Sequence, residues 1–115
     1  MNLVSIKERF MKESFNRRLG HLASDLARIT SFLDNPKNTK TVSDILEESK
    51  YFIEWMAADA PYLIQELFSE MQLKLALWHY YLLNDKYDSR VMDELRTSTK
   101  NWSNQLIELS GIKAI

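Results

Sequence analysis

Residues 61–84, with the sequence PYLIQELFSEMQLKLALWHYYLLN, place the strongest constraint on how this chain folds. Apolar side chains recur there every three or four residues, the period of one face of an α-helix. This stripe consists of Ile64, Leu67, Met71, Leu75, Trp78 and Leu82. At 3.6 residues per turn, Leu73, Leu77 and Tyr80 fall on nearly the opposite side. The stretch therefore predicts a helix that ends with two apolar faces, which neighbouring helices or a second copy of the chain must cover.

The rest of the composition points to one helical domain over residues 1–115. Two Gly and two Pro are too few for a turn-rich β sandwich or barrel, and 45% hydrophobic residues are typical of a globular chain. The absence of Cys excludes disulfides, thiolate metal sites and a Cys nucleophile, and it fits a reducing compartment. The first residues do not resemble a signal peptide, and charged residues interrupt every long apolar run. We therefore expect a cytoplasmic protein that does not enter membranes.

The charged residues are spread unevenly, although the net charge is −1. Residues 1–28 hold six basic and three acidic side chains, whereas residues 44–70 hold one basic and seven acidic side chains. A net charge near zero argues against general nucleic-acid binding. The two charged segments either lie side by side within the fold, or the acidic segment faces a partner.

Apolar periodicity predicts three further helices. The first runs over residues 5–34, with an apolar stripe of Phe15, Leu19, Leu22, Leu26, Ile29 and Leu33. The second covers 42–58, with Thr41 as the expected cap, and the fourth covers 90–110 and ends before Gly111. Pro61 separates the second helix from the third, over 61–84, although a kinked continuation is the alternative. Four helices with short links predict an all-α fold, an antiparallel four-helix bundle.

No residue pattern in the chain predicts a catalytic, cofactor or metal site. Di-iron bundles use Glu-x-x-His pairs, but Arg18 and Ala76 stand three residues before His21 and His79. Gly-rich phosphate loops are absent. His21 lies on the flank of the first helix, as the histidine of a phosphotransfer domain does, although the Lys-Gly pair usual in such domains does not follow it. We therefore expect a non-enzymatic protein, with a phosphotransfer signalling module at His21 as the alternative.

Two groups of side chains are candidates for protein contacts instead. The predicted dimer interface is the second face of the third helix, formed by Leu73, Leu77, Tyr80 and Tyr81. The predicted partner-binding surface lies on the second helix and just beyond it, formed by Glu48, Tyr51, Trp55 and Asp59. Burial of the third helix's second face inside the fold is the alternative to a dimer, and cover by a neighbouring helix is the alternative for Tyr51 and Trp55. A small-ligand pocket near Trp78 and His79 is a further alternative.

The segment Ala60-Pro61, followed by Ile64, Leu67 and Phe68, resembles a family of small dimeric helical domains. That family includes the N-terminal domain of the sigma-regulatory phosphatase RsbU and the C-terminal domain of the clock protein KaiA. The likeness covers residues 30–110 as a pattern of helices, and Pro61 with its spacing to Ile64 and Leu67 as a motif. Phe68 stands near the position where the family commonly has a His. The resemblance implies a non-enzymatic homodimer that docks a regulatory protein.

Overall fold

The computed structural model describes residues 2–111, which form five α-helices and two short 3₁₀ helices and contain no β-strand. The all-α prediction is therefore confirmed. The α-helices are α1 (Leu3–Met11), α2 (Phe15–Phe32), α3 (Thr39–Met56), α4 (Tyr62–Leu83) and α5 (Ser89–Ser110). The 3₁₀ helices cover Pro36–Asn38 and Ala57–Asp59.

The prediction of one continuous helix over 5–34 is wrong, because the chain breaks between Met11 and Phe15. Ser14 has an extended backbone, with φ −62° and ψ 157°, and its side chain accepts a hydrogen bond from the Arg17 backbone N–H. This is a helix N-cap, which satisfies one backbone donor that a helix start leaves open. With five α-helices in residues 2–111, the predicted four-helix bundle is not confirmed in that form.

Replacing Ser14 with Ala should lower the free energy of unfolding by about 1 kcal/mol, because α2 loses its cap. Ser24→Ala is the matched control, since Ser24 is exposed within α2 and caps nothing. Ala favours a helix interior, so we expect the control to be neutral or slightly stabilising. Urea unfolding followed by circular dichroism measures both variants. Equal effects of the two substitutions would show that Ser14 does not cap α2.

The two linkers flanking α3 differ from prediction in detail. The Asn35 side chain accepts from the Lys37 N–H and starts the first 3₁₀ helix, so α3 begins at Thr39 and the expected cap at Thr41 is wrong. The break between α3 and α4 is confirmed. A 3₁₀ turn and the extended Ala60 separate the two helices, and Pro61 precedes the first residue of α4, so the kinked alternative is wrong.

The α2 and α5 helices pack closely because small side chains line their contact. The Ser103 hydroxyl donates to the Ala23 carbonyl oxygen at 2.8 Å, and the hydroxyls of Thr30 and Thr99 lie 2.8 Å apart. Residue numbers rise along α2 while those of the contacted residues fall along α5, so the two helices run antiparallel. The α2 and α3 helices also run antiparallel. Arg18 contacts Asp59, just beyond the end of α3, whereas Asp25, later in α2, faces Glu48, earlier in α3.

The α4 helix packs mainly on α3 and meets α5 through large side chains. The rings of Trp78 and Trp102 lie 5.6 Å apart between centroids, which holds the axes of α4 and α5 further apart than those of α2 and α5. Ile64, Phe68, Met71, Leu75, Trp78 and Leu82 are the buried residues of α4. One side of α4 therefore faces the core, and the other side is left to solvent.

Candidate functional site

The outer side of α4 carries the candidate dimer residues. Leu73 is 75% exposed, Leu77 46% and Tyr80 49%, whereas Leu75, between them in the sequence, is fully buried. The alternative in which the fold itself buries this second face is therefore wrong. Tyr81, the fourth predicted residue, packs partly against the core and stands at the edge of this face.

Exposed apolar residues are concentrated on α4. Within residues 2–111, six of the nine exposed large hydrophobic side chains belong to this helix. They are Tyr62, Leu63, Leu73, Leu77, Tyr80 and Leu83. Four of these, Tyr62, Leu73, Leu77 and Tyr80, fall within about 60° of one another around the helix axis. Scattered exposed apolar residues are ordinary, whereas a stripe along one helix is a candidate surface for contact with another molecule. We call Leu73, Leu77 and Tyr80, with Leu83 beside them, the α4 outer face.

Charged groups lie at both ends of the α4 outer face. Glu66 and Glu70 are exposed in the first half of the helix, and Glu70 forms an ion pair with Lys74 at 3.5 Å. Beyond the other end, the Lys86 ammonium donates to the Tyr80 hydroxyl at 3.4 Å and lies 5.5 Å from the centre of its ring. The face therefore has two carboxylates beside one end and the Lys86 ammonium beside the other.

The second candidate surface is an aromatic cluster on α3. The rings of Tyr51 and Trp55 stack at 5.6 Å between centroids. Phe10 of α1 packs on the neighbouring Phe52 with nearly parallel rings 4.2 Å apart, and it also lies 5.9 Å from Trp55. We call Tyr51, Phe52 and Trp55 the α3 aromatic surface. Sequence reasoning placed Tyr51 and Trp55 together correctly, but α1 already covers part of the surface that they form.

Glu48, a predicted partner-binding residue, faces a buried carboxyl of α2. Asp25 is 5% exposed, and no N–H or O–H group of residues 2–111 donates to its Oδ2 atom. Burial raises the pKa of Asp25 from 3.8 to about 8, helped by the neighbouring Glu48 carboxylate, while Arg28 at 3.5 Å opposes the shift. The neutral form of Asp25 is therefore favoured far above the usual pH range of a carboxyl, and the nearby Glu48 carboxylate adds to this effect. Glu48 serves the α2–α3 contact.

Asp59, the other acidic candidate, pairs with an arginine of α2. Its Oδ2 atom lies 3.3 Å from Nη1 of Arg18, which is 7% exposed. The Arg18 guanidinium also lies 5.5 Å from the centre of the Phe15 ring. Because a buried guanidinium needs a counter-charge, Asp59 neutralises Arg18 and does not cap α4.

The two histidines occupy different environments. His21 is exposed, and its Nε2 atom lies 4.0 Å from a Glu13 carboxylate oxygen, beside a groove that Arg17 and Gly20 also line. His79 is half-buried, and its Nδ1 atom lies 3.5 Å from the Lys50 ammonium nitrogen. Burial first, and then the positive charge of Lys50, lowers the pKa of His79.

A groove of about 520 Å³ lies where α2 meets the first turns of α3, away from Trp78 and His79. Its lining residues are Arg28, Lys40, Thr41, Asp44, Ile45, Glu47 and Glu48.

Within residues 2–111, no three His, Asp or Glu side chains are grouped so that they could hold a metal ion. In the same part of the chain, every helix is too short or too polar to cross a membrane.

Comparisons with known proteins do not assign a family: no family model, no curated protein and no solved structure matches the chain. The resemblance to the dimeric helical domains therefore stays a prediction.

Two features of these surfaces were missed by sequence reasoning. The predicted helix over 5–34 would carry Phe10 in line with α2, whereas the chain breaks before Phe15 and Phe10 packs on α3. Asp25 lies beside the apolar stripe of α2, seven residues after Arg18, and both are buried. Their spacing of two helical turns places them on one flank, and this was the signal that could have indicated a polar contact with the acidic α3.

Proposed function

We propose that this protein is a non-enzymatic, cytoplasmic regulatory adaptor that homodimerises through the α4 outer face and docks a protein partner on the α3 aromatic surface. Within this proposal, α2 to α5 act as an antiparallel four-helix bundle and α1 is an additional helix. The observation that carries the proposal is the exposure of Leu73, Leu77 and Tyr80 on the side of α4 opposite its buried stripe.

The dimensions of α4 suit a two-helix dimer contact. A helix of 22 residues is roughly 33 Å long. Stable interfaces bury about 800 Å² on each partner and centre on aromatic and aliphatic anchors, as Tyr80 and the two leucines would provide. A symmetric dimer uses the same patch on both copies, so one helix face is sufficient.

The charges at the ends of the α4 outer face favour an antiparallel arrangement of the two copies. Pairing around Leu73 to Tyr80 in opposite directions brings Lys86 of one copy towards Glu66 and Glu70 of the other. Parallel pairing would place like charges side by side, which is unfavourable. The proposed dimer therefore has its two α4 helices antiparallel, with the leucines and Tyr80 at its centre.

Replacing both Leu77 and Tyr80 with Glu should convert the dimer into a folded monomer. Two buried carboxylates in each copy would be desolvated without counter-charges, which disfavours association strongly. Both side chains are about half exposed in the isolated chain, so its fold should tolerate the change. Sedimentation equilibrium measures the mass, and circular dichroism confirms the helix content.

Leu109→Glu is the control, because Leu109 is a similarly exposed leucine on α5. We expect this control to leave the dimer intact. A mass that does not change in the Leu77→Glu, Tyr80→Glu variant would refute the assignment of the dimer interface to α4.

A further inference from the structure

The α1 helix is attached to the rest of the molecule by a small contact. Within Leu3–Met11, Phe10 alone is buried, and Ile6 packs partly against the core four residues earlier. Phe10 stacks on Phe52 and approaches Trp55, as described above. The remaining residues of the helix are exposed, apart from Leu3, which is half-buried at its first position. Two side chains on one helical face thus hold most of α1 in place.

The α2 helix has a start of its own that does not involve α1. Ser14 caps α2 from within the linker, so α2 keeps its start when α1 leaves. An isolated helix of nine residues is unstable in water, so α1 is helical because it rests on α3. A segment with one buried side chain opens at a lower free energy than the packed core. Besides its aromatic contacts, α1 makes a weak contact between the Met11 sulfur and Arg18 at 3.7 Å.

Release of α1 would uncover an aromatic surface on an acidic helix. Phe52 is 6% exposed beneath Phe10, and Tyr51 and Trp55 stack beside it. Glu54 is exposed on the same helix, but it lies about 160° around the helix axis from Phe52. The α1 helix and its linker carry Lys7, Arg9 and Lys12 together with Glu8 and Glu13, so their net charge is only +1. The helix seated there is thus amphipathic, with an aliphatic residue four positions before a phenylalanine, and this is the chemistry that the surface accepts.

We propose that the α3 aromatic surface is a docking site for an amphipathic helix of a protein partner, and that α1 occupies this site until such a helix displaces it. The partner helix carries an aliphatic side chain in the place of Ile6 and an aromatic side chain in the place of Phe10. This proposal rests on the proposed adaptor function, because it identifies the partner-binding surface of that function and adds self-inhibition by α1.

A fluorescent peptide with the sequence of residues 2–13 tests the site directly, by anisotropy titration against the full-length chain. In the wild-type chain α1 competes with the peptide, whereas in a full-length Phe10→Ala variant it competes poorly. We expect the peptide to bind the Phe10→Ala chain at least tenfold more tightly than the wild type. A control peptide that itself carries the Phe10→Ala change should bind at least tenfold more weakly. Absence of saturable binding, or equal binding of the two peptides, would overturn the proposal.

Hydrogen exchange of the wild-type chain provides a second test that needs no variant. The hydrogen-bonded amides of α1 should exchange at least 100-fold faster than those of α2 between Leu22 and Ile29. If the two sets exchange equally slowly, α1 is a fixed part of the fold and the proposal is wrong. This measurement keeps the proposal testable even if the Phe10→Ala chain fails to fold.

The same titration in the Leu77→Glu, Tyr80→Glu background separates this proposal from the dimer. A chain that has lost the α4 dimer should bind the peptide with unchanged affinity. Conversely, a chain that does not bind the peptide should still have the mass of a dimer. If the Leu77→Glu, Tyr80→Glu variant remains a dimer and the peptide dissociates that dimer, the α3 aromatic surface is occupied by α1 of a second copy. This result would overturn the assignment to a partner helix.

Discussion

Asp25→Asn should stabilise the protein at alkaline pH relative to the wild type, and the difference should disappear towards acidic pH. The unfolded chain releases the Asp25 proton near pH 3.8, but the folded chain keeps it until about pH 8. Between these values the folded state binds one more proton, so the stability of the wild type falls as the pH rises and levels off above about 8. The neutral Asn side chain does not titrate and removes this dependence.

The expected effect of Asp25 is large compared with the stability of a domain of this size. One pH unit across such a titration is worth about 1.4 kcal/mol, so about three units between pH 5 and 8 give roughly 4 kcal/mol. Whole domains are stable by only about 5–15 kcal/mol. The buried carboxyl between α2 and α3 is therefore the most pH-sensitive contact that we identify in the structure.

Urea unfolding at a series of pH values between 5 and 9 measures this prediction as the difference between variant and wild type. Taking the difference cancels His79, whose lowered pKa removes stability as the pH falls. Asp93→Asn is the matched control, because Asp93 is an exposed carboxylate paired with Arg96. Its difference from wild type should stay nearly constant. Parallel curves for Asp25→Asn and wild type would contradict the placement of a protonated Asp25 in the core.

Leu75→Ala should cost about 2–5 kcal/mol of unfolding free energy, because Leu75 is fully buried and its truncation leaves a cavity. Leu73→Ala is the same chemical change two residues away, on the exposed side of α4. In the isolated chain we expect it to change stability by less than about 0.5 kcal/mol. Urea unfolding at a protein concentration low enough to keep the chain monomeric measures both.

For dimer formation we expect the opposite order, with Leu73 more important than Leu75. Leu73→Ala removes an exposed side chain from the proposed dimer centre, so it should weaken the dimer. If Leu73→Ala destabilises the isolated chain as much as Leu75→Ala does, the outer face of α4 would have to be packed within the monomer.

Much of the fold could be predicted from the sequence, because the regular spacing of apolar residues is a strong signal in long helices. The stripe residues Leu19, Leu22, Leu26 and Ile29 are buried as expected, and Gly111 ends α5 with a positive φ of 72°. Leu109 shows where the period misleads, since it follows the buried Leu106 by three residues but is itself half exposed near the end of α5. Periodicity indicates a face, and only the neighbouring helices determine how far along the helix that face is covered.

The break at Ser14 could not be predicted from periodicity, because the apolar residues continue on either side of it. Ser also occurs inside helices, and its role as a cap depends on a backbone conformation that the sequence does not show. That single error hid the contact between Phe10 and Phe52. It also concealed which helix lies beside Trp55, since the ring of Phe10 in α1 approaches it.

Polar contacts between helices were the least predictable part of the candidate surfaces. Glu48 and Asp59 were predicted as partner-facing because acidic residues cluster over 44–70. Each also faces a buried residue of α2, Asp25 and Arg18 respectively, and the sequence did not indicate these contacts. Such pairings depend on which flanks of two helices meet, and this depends on the packing of the whole domain. The exposed α4 outer face was easier to predict, since two apolar stripes on one helix are visible in the sequence itself.

Sedimentation equilibrium of the wild-type chain, over a wide range of concentration, is the most direct test of the central claim about α4. A dimer is predicted, with a mass twice the 13.6 kDa of the chain, that dissociates only on dilution. Its mass should fall to that of the monomer in the Leu77→Glu, Tyr80→Glu variant at every concentration. A wild-type chain that stays monomeric up to high concentration would contradict the claim that a second copy covers Leu73, Leu77 and Tyr80.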